Sequence, residues 1–163
     1  MKQQDPKQRI KNFDEVNLGY SEKEAIKESS RCLQCKVPQC VEGCPVNIDI
    51  PGFIKQIKQG KPEKAAEIIK KSNNLPGICG RVCPQEDQCE LKCILDKKAI
   101  KIGYLERFAA DNEKESTLTK IKKNNKKIAA IGSGPASLTC AADLALKGYN
   151  VTIFEALHNT GGV

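Results

Sequence analysis

At 163 residues the chain has room for one ordinary domain or two small ones. Aromatic residues are scarce and tryptophan is absent, so a small domain built from this sequence gains little from an apolar core alone and needs other crosslinks, for which the nine cysteines are candidates. The formal charge of +7 is partly concentrated in Lys120-Ile121-Lys122-Lys123-Asn124-Asn125-Lys126-Lys127 and forms no basic stripe interleaved with aromatics, which argues against a nucleic-acid partner.

The first residues, Met1 to Pro6, carry no apolar run and no cleavage signal, so secretion is not expected. No segment approaches the length of a membrane span, and no membrane partner is expected. The expectation is a cytoplasmic protein whose cysteines stay reduced, where clustered thiols mean metal. Residues 1–20 read as a polar arm that packs on the body through Phe13, Val16, Leu18 and Tyr20. Ser21-Glu22-Lys23-Glu24 is a capping box and predicts a helix to about Arg31, with Ala25 and Ile26 inward. Cys32, Cys35, Cys40 and Cys44 follow with spacing C-x2-C-x4-C-x3-C, and Pro45 comes next.

Pro51 is well placed as the first residue of a helix with Phe53, Ile54 and Ile57 on one face, ended by Gly60. A second helix is predicted from Pro62, with Ala65, Ala66, Ile68 and Ile69 at helical spacing. Asn73-Asn74-Leu75-Pro76-Gly77 breaks that pattern. A second cysteine group, Cys79, Cys83-Pro84, Cys89 and Cys93, leads into a short helix within 100–111 that returns to the cysteines. Residues 112–126 are charged, poor in apolar residues, and read as a linker.

From Lys127 the character changes. Ile128 to Ile131 is a short apolar strand, Gly132-Ser133-Gly134-Pro135-Ala136-Ser137 a glycine turn, Leu138 to Lys147 a helix, and Val151 to Phe154 a second strand ending at Glu155. This order is the opening of a dinucleotide-binding fold. A doubly wound domain needs more strands than residues 127–163 supply, so a fragment of a longer protein is expected. The fold class is therefore a mainly α, two-cluster iron–sulfur domain over 21–111, ferredoxin-like in ligand pattern. The truncated first β-α-β of an α/β Rossmann-like dinucleotide-binding domain follows over 127–163, which the resemblance given below makes an FAD-binding domain.

The cysteine run is close to C-x2-C-x2-C-x3-C-P, in which three thiolates hold one iron–sulfur cluster and the fourth reaches another. By that crossover Cys32, Cys35, Cys40 and the distant Cys93 fall to one [4Fe-4S] cluster, and Cys44, Cys83 and Cys89 to a second. Its fourth ligand is either Cys79 or a residue that is not cysteine. Zinc also accepts four thiolates, but only Cys32/Cys35 forms a clean zinc knuckle. Cys140 reads as a small buried residue of the helix after the turn, and His158 as a solvated loop residue. In the turn, Gly132 permits the bend and Gly134 lets backbone approach a pyrophosphate. The helix start at Pro135 or Ala136 offers N–H groups to that anion. Glu155 is placed to accept from ribose hydroxyls, which favours FAD or NAD over NADP.

Asn12-Phe13-Asp14-Glu15-Val16, Gly19-Tyr20, the paired cysteine groups, Cys79-Gly80-Arg81-Val82-Cys83-Pro84 and Gly132-Ser133-Gly134-Pro135-Ala136 together resemble the small-subunit family of NADPH-dependent glutamate synthase. The same module opens dihydropyrimidine dehydrogenase and the large subunit of NADH-dependent ferredoxin:NADP oxidoreductase. The resemblance covers nearly the whole chain. It implies two [4Fe-4S] clusters, then FAD, then an NAD(P)H domain absent here, with clusters relaying electrons between FAD and a partner. That partner is a large glutamate synthase-type subunit, or else a ferredoxin or flavoprotein subunit. By the match to the glutamine ligand of dihydropyrimidine dehydrogenase, Glu106 in Ile102-Gly103-Tyr104-Leu105-Glu106 becomes the second cluster's fourth ligand, and Cys79 its neighbour. Gly161 and Gly162 resemble the second glycine pair that approaches FAD. Ser137, where that family usually has glycine, departs from the pattern. From a different functional class, the alternative is a zinc-stapled structural module.

Overall fold

The computed structural model describes residues 2–114 and 121–162, so Met1, Val163 and residues 115–120 of the expected linker lie outside the described residues. The chain divides into two units, Met1–Ser72 with Pro76–Lys114, and Asn73–Leu75 with Glu115–Val163.

The first unit is helical. The short α1 (Pro6–Arg9) lies in the N-terminal arm, capped by the Asp5 carboxylate. An isolated antiparallel bridge between Gln3 and Asn17 folds the arm back on itself, with the Gln4 amide donating to the Val16 carbonyl at 2.8 Å. The expected apolar anchoring of this arm is corrected: Phe13 is fully exposed, and Val16 and Leu18 are exposed too. Only Tyr20 packs on the core, edge-on to Tyr104 with ring centroids 5.7 Å apart. The arm is held by charge through Glu15, because a polar segment this short has no apolar face to bury.

Next comes α2 (Glu22–Ser29), where the Glu24 carboxylate accepts from the Ser21 backbone N–H at 2.9 Å and its hydroxyl at 2.6 Å. After α3 (Gln39–Glu42), Asp49 caps α4 (Ile50–Lys58) by accepting from the Gly52 N–H at 3.0 Å. Phe53, Ile54 and Ile57 of α4 are almost wholly buried against Ala65 and Ile69 of α5 (Pro62–Lys70). Burying each large side chain of this kind stabilises the fold by about 1.5–3 kcal/mol.

Two further helices carry the second cysteine group and its neighbours. α6 (Pro76–Val82) begins inside the stretch read as a break, since Pro76 opens the helix that places Cys79 and Arg81. α7 (Ile102–Asp111) packs on α2, α4, α5 and α6, burying Leu105, Phe108 and Ala109 in the core. Its backbone touches that of α6: a Cβ on Gly80 would stand 2.5 Å from the Arg107 nitrogen, so only glycine allows this approach.

The second unit is a β-α-β. β1 (Lys127–Ile131) pairs in parallel with β2 (Asn150–Phe154), with Lys127 opposite Asn150 and Ile131 opposite Phe154. α8 (Pro135–Leu146) joins them. Cys140 is exposed, contrary to the buried position expected, because among the described residues nothing packs closely enough on its side of α8 to bury it.

Candidate functional site

The two cysteine runs are placed by short turns around the first unit's core. Cys32 follows the end of α2, its amide donating to the Ser29 carbonyl, while Cys40 lies in α3 and Cys44 just beyond it. Cys83 follows α6, and Cys89 and Cys93 follow the 3₁₀ turn Gln85–Asp87. Cys89 belongs to the buried core, and Cys32, Cys40, Cys44 and Cys93 pack against it half-buried.

Cys32, Cys35, Cys40 and Cys93 line one cavity of about 100 Å³, whose remaining wall includes Val37, Pro38, Ile54, Ile100 and Ile102. Burial first, and then the neighbouring sulfurs of Cys32, Cys93 and Cys35, push the Cys40 thiol up to about 11. An apolar wall with four facing thiols suits a soft metal centre. The thiolate charge disfavoured in an apolar setting is neutralised by bound metal, with proton release.

The second group is Cys44, Cys83, Cys89 and Glu106. Burial first, and then Glu90, Cys44, Glu106 and Cys83, push the Cys89 thiol up to about 12. Burial first, and then Cys79, Glu106 and Cys44, push up the Cys83 thiol. Cys44 and Glu106 thus stand near both Cys83 and Cys89, and Cys79 stands beside Cys83. Glu106 is 6% exposed, a depth at which a carboxylate calls for a cationic or hydrogen-bonding partner. Gly43 brings Cys44 against this group, since a Cβ there would meet the Gln88 carbonyl oxygen at 2.8 Å and the Cys89 Cα at 3.1 Å. Among the described residues, no three or more His, Cys, Asp or Glu side chains converge as they would on one metal ion.

Glutamine contacts surround both groups and escaped the sequence reading. Gln34, between the paired cysteines, donates its side-chain N–H to Cys32 Sγ at 3.4 Å and to the Pro51 carbonyl at 3.1 Å. At the second group the polarity is reversed, with Cys83 Sγ donating to Gln88 Oε1 at 2.9 Å. Gln85 donates to the Cys79 carbonyl at 2.8 Å and fills the space beside Gly103. The available signal was position, since Gln34 and Gln88 each precede a cysteine and Gln85 follows Cys83-Pro84.

Between the arm and helices α6 and α7, Glu15 accepts from Arg81 Nε at 2.5 Å and from Arg107 Nη2 at 2.9 Å. Asp111 accepts from the same two arginines at 3.0 and 3.2 Å. The Arg81 bond holds the Glu15 carboxyl below the usual carboxylate range.

In the second unit the glycine turn leads from β1 into α8, with Gly132 at a φ of 85° and Pro135 in the first turn of the helix. Ala136 follows in that same turn. Glu155 accepts from the Ser133 N–H at 2.8 Å, from the Ser133 hydroxyl, and from the Leu157 N–H at 2.9 Å. The Ser133 hydroxyl and the backbone bonds hold the Glu155 carboxyl below its usual range. Gly161 returns to this turn, its N–H donating to Ser133 Oγ at 3.0 Å, and a Cβ on Gly162 would meet the Gly134 Cα at 3.2 Å. The expected nucleotide residues are therefore neighbours. His158 is exposed.

Comparison with known proteins gives matches to both units. Residues 9–118 match the family described as dihydropyrimidine dehydrogenase domain II, 4Fe-4S cluster. Residues 131–163 match the NAD(P)-binding Rossmann-like domain. The chain is 34% identical over 163 residues to the glutamate synthase [NADPH] small chain of Azospirillum brasilense, covering 96% of this chain and 34% of that protein. It is 38% identical over 157 residues to the Escherichia coli small chain of the same name, covering 93% and 33%. It is also 38% identical over 155 residues to the NAD-dependent dihydropyrimidine dehydrogenase subunit PreT of Escherichia coli, covering 92% and 38%. The chain spans about a third of the length of the curated relatives it matches.

Proposed function

We propose that this chain, which belongs to the dihydropyrimidine dehydrogenase domain II 4Fe-4S cluster family, is the electron-transfer module of an FAD- and NAD(P)H-dependent oxidoreductase of the glutamate synthase small-chain type. The observation that carries this reading is the apolar cavity lined by Cys32, Cys35, Cys40 and Cys93, inside the segment that matches the family. These residues would hold one [4Fe-4S] cluster. Cys44, Cys83, Cys89 and Glu106 would hold the other, with Glu106 favoured over Cys79 because it stands near both Cys83 and Cys89. When bound, such clusters supply one-electron transfer.

The chain's own residues bind and shield. Val37, Pro38, Ile54, Ile100 and Ile102 supply apolar wall to the first centre and exclude water from its inner side. The core helices α4, α5 and α7 hold the cysteine turns in place through contacts with the buried cluster of Phe53, Ile57, Ile69 and Leu105. A hard carboxylate in place of a soft thiolate distinguishes the second centre from the first and would set the two potentials apart.

In the second unit, Gly132, Gly134, Pro135 and Ala136 would take the FAD pyrophosphate, with Gly161 and Gly162 closing on the same turn. Glu155 already accepts bonds from Ser133 and Leu157. A carboxylate offers about four acceptor sites, which leaves room for a ribose hydroxyl. The whole protein would draw hydride from NAD(P)H and pass electrons to a large partner subunit, in a reducing, cytoplasmic setting. Among the described residues no helix is long and apolar enough to cross a membrane. The matched identity to a dihydropyrimidine dehydrogenase subunit supports a second reading in which the acceptor subunit reduces a pyrimidine.

Iron and acid-labile sulfide per chain, on anaerobically prepared protein, test the reading. About eight of each are expected for two four-iron clusters. Zinc without sulfide would replace it with a structural module.

A further inference from the structure

We propose that Gln34 is a positioning and potential-setting residue of the first centre, its side-chain amide bridging Cys32 Sγ and the carbonyl of Pro51. The proposal rests on the iron–sulfur reading above.

Three observations meet at this side chain. Its Nε2 lies 3.4 Å from Cys32 Sγ and 3.1 Å from the Pro51 oxygen, so its two hydrogens tie the cysteine turn to the first turn of α4. Gln34 has a φ of 53°, a left-handed conformation that non-glycine residues adopt only when their surroundings hold them there. The bridge supplies that hold. Cys32, Cys35 and Pro51 all line the cavity and Gln34 does not, so the amide meets the sulfur without occupying the space the cysteines share.

The chemical consequence follows from charge. A neutral N–H donor stabilises a thiolate, and more so as the centre it ligates gains negative charge. Reduction adds one electron from an external chemical reductant, and no bond to Gln34 forms or breaks. The donor therefore favours the reduced state and raises the midpoint of this centre. Gln34 is exposed, so water partly replaces a lost bond and the effect is moderate. Gln88 does not act in the same way at the second centre. Its bond to Cys83 uses the thiol proton, which leaves when a thiolate binds metal.

The test is a redox titration of the anaerobic chain, followed by electron paramagnetic resonance, with the first centre identified as the signal that Cys35→Ala alters. Gln34→Leu removes both donors, and Gln34→Gly removes them while accepting the left-handed backbone. Gln34→Glu keeps the length and presents only acceptors. At a fixed applied potential, the Leu and Gly variants should lower the reduced-to-oxidised ratio of the first centre about three- to tenfold. A tenfold change is a midpoint lower by about 59 mV. The Glu variant should lower it further, and the second centre should not move. An unchanged first midpoint in the Gly variant, with both centres loaded, overturns the proposal, as does an equal shift of both centres. If Gln34→Leu loses iron, the Gly and Glu variants decide on the same criterion. A parent chain without iron and sulfide overturns the underlying reading as well, and is seen before any variant is compared.

Discussion

Glu15 accepts a hydrogen bond from Arg107 Nη2 at 2.9 Å, across 92 residues of sequence. Arg107 is nearly buried, with its side chain 7% exposed, whereas Glu15 is 55% exposed. Glu15 therefore supplies counter-charge to a buried guanidinium while standing partly in water. Asp111 is the second carboxylate on Arg107, at 3.2 Å, and both are shared with Arg81. Glu15→Ala should cost about 1–2 kcal/mol, between the values for exposed and buried pairs because Asp111 remains. Chemical denaturation of the metal-loaded chain measures it.

The same residue gives the arm a pH dependence. The Glu15 carboxyl is held below its ordinary 4.5 by the Arg81 bond, so its contribution is complete above that value and lost as pH falls through the depressed value. Amide protection at Gln4 and Leu18, whose N–H groups bond across the arm, should hold steady above about pH 4.5 and decline below it. Glu15→Gln chains, compared at every pH, should start lower and lack this decline. Equal curves for the two chains would remove Glu15 from the arm's attachment.

Cys35→Ala and Cys83→Ala should each disrupt one centre and leave the other. Iron content should fall by about half if the altered cluster is lost, or by about one iron if it persists in three-iron form. Retention of all iron in either variant would sink that ligand assignment.

Glu106 and Cys79 compete for one role, and two variants separate them. Glu106→Ala should lose or alter the second centre, while Cys79→Ala should keep both and shift the second only slightly. Glu106→Gln should retain it with a raised potential, since a neutral amide replaces an anionic ligand. The opposite order in iron content would transfer the role to Cys79.

Gly43→Ala tests whether the close approach of Cys44 to Cys89 matters. The added methyl meets the Gln88 carbonyl at 2.8 Å and the Cys89 Cα at 3.1 Å. Overpacking of this kind costs about 1–3 kcal/mol. Thermal unfolding should fall accordingly, with iron lost from the second centre before the first.

Local chemistry made much of this architecture legible. The Ser21–Glu24 box, Pro51 and Pro62 announce helix starts, and the apolar spacing of Phe53, Ile54 and Ile57 announces the buried face of α4. The cysteine runs pointed to the grouping because donors must meet in space whatever their distance along the chain, and Cys93 does line the cavity with Cys32. α6 stayed hidden because Asn73-Asn74-Leu75-Pro76-Gly77 carries turn residues, and Gly77 and Gly80 are poor helix formers. Its helix is fixed by contact with α7, which no local pattern records. The arm was misread for a related reason: Phe13 in a polar segment looks like an anchor, yet the attachment depends on Arg81 and Arg107 far along the chain. The exposure of Cys140 is likewise a property of what packs on α8, which its own helix does not specify.

The contact of Gly80 with the Arg107 backbone has a dynamic consequence. α6 carries Cys79 and leads to Cys83, α7 carries Glu106, and the two helices meet with no side chain between them. At Gly80 neither helix can move closer to the other without a backbone collision. A donor set mounted on such a pair changes its geometry little when charge arrives or departs. With a cluster bound there as proposed, the reorganisation energy of an electron hop through it should be small, leaving distance and driving force to govern the hop.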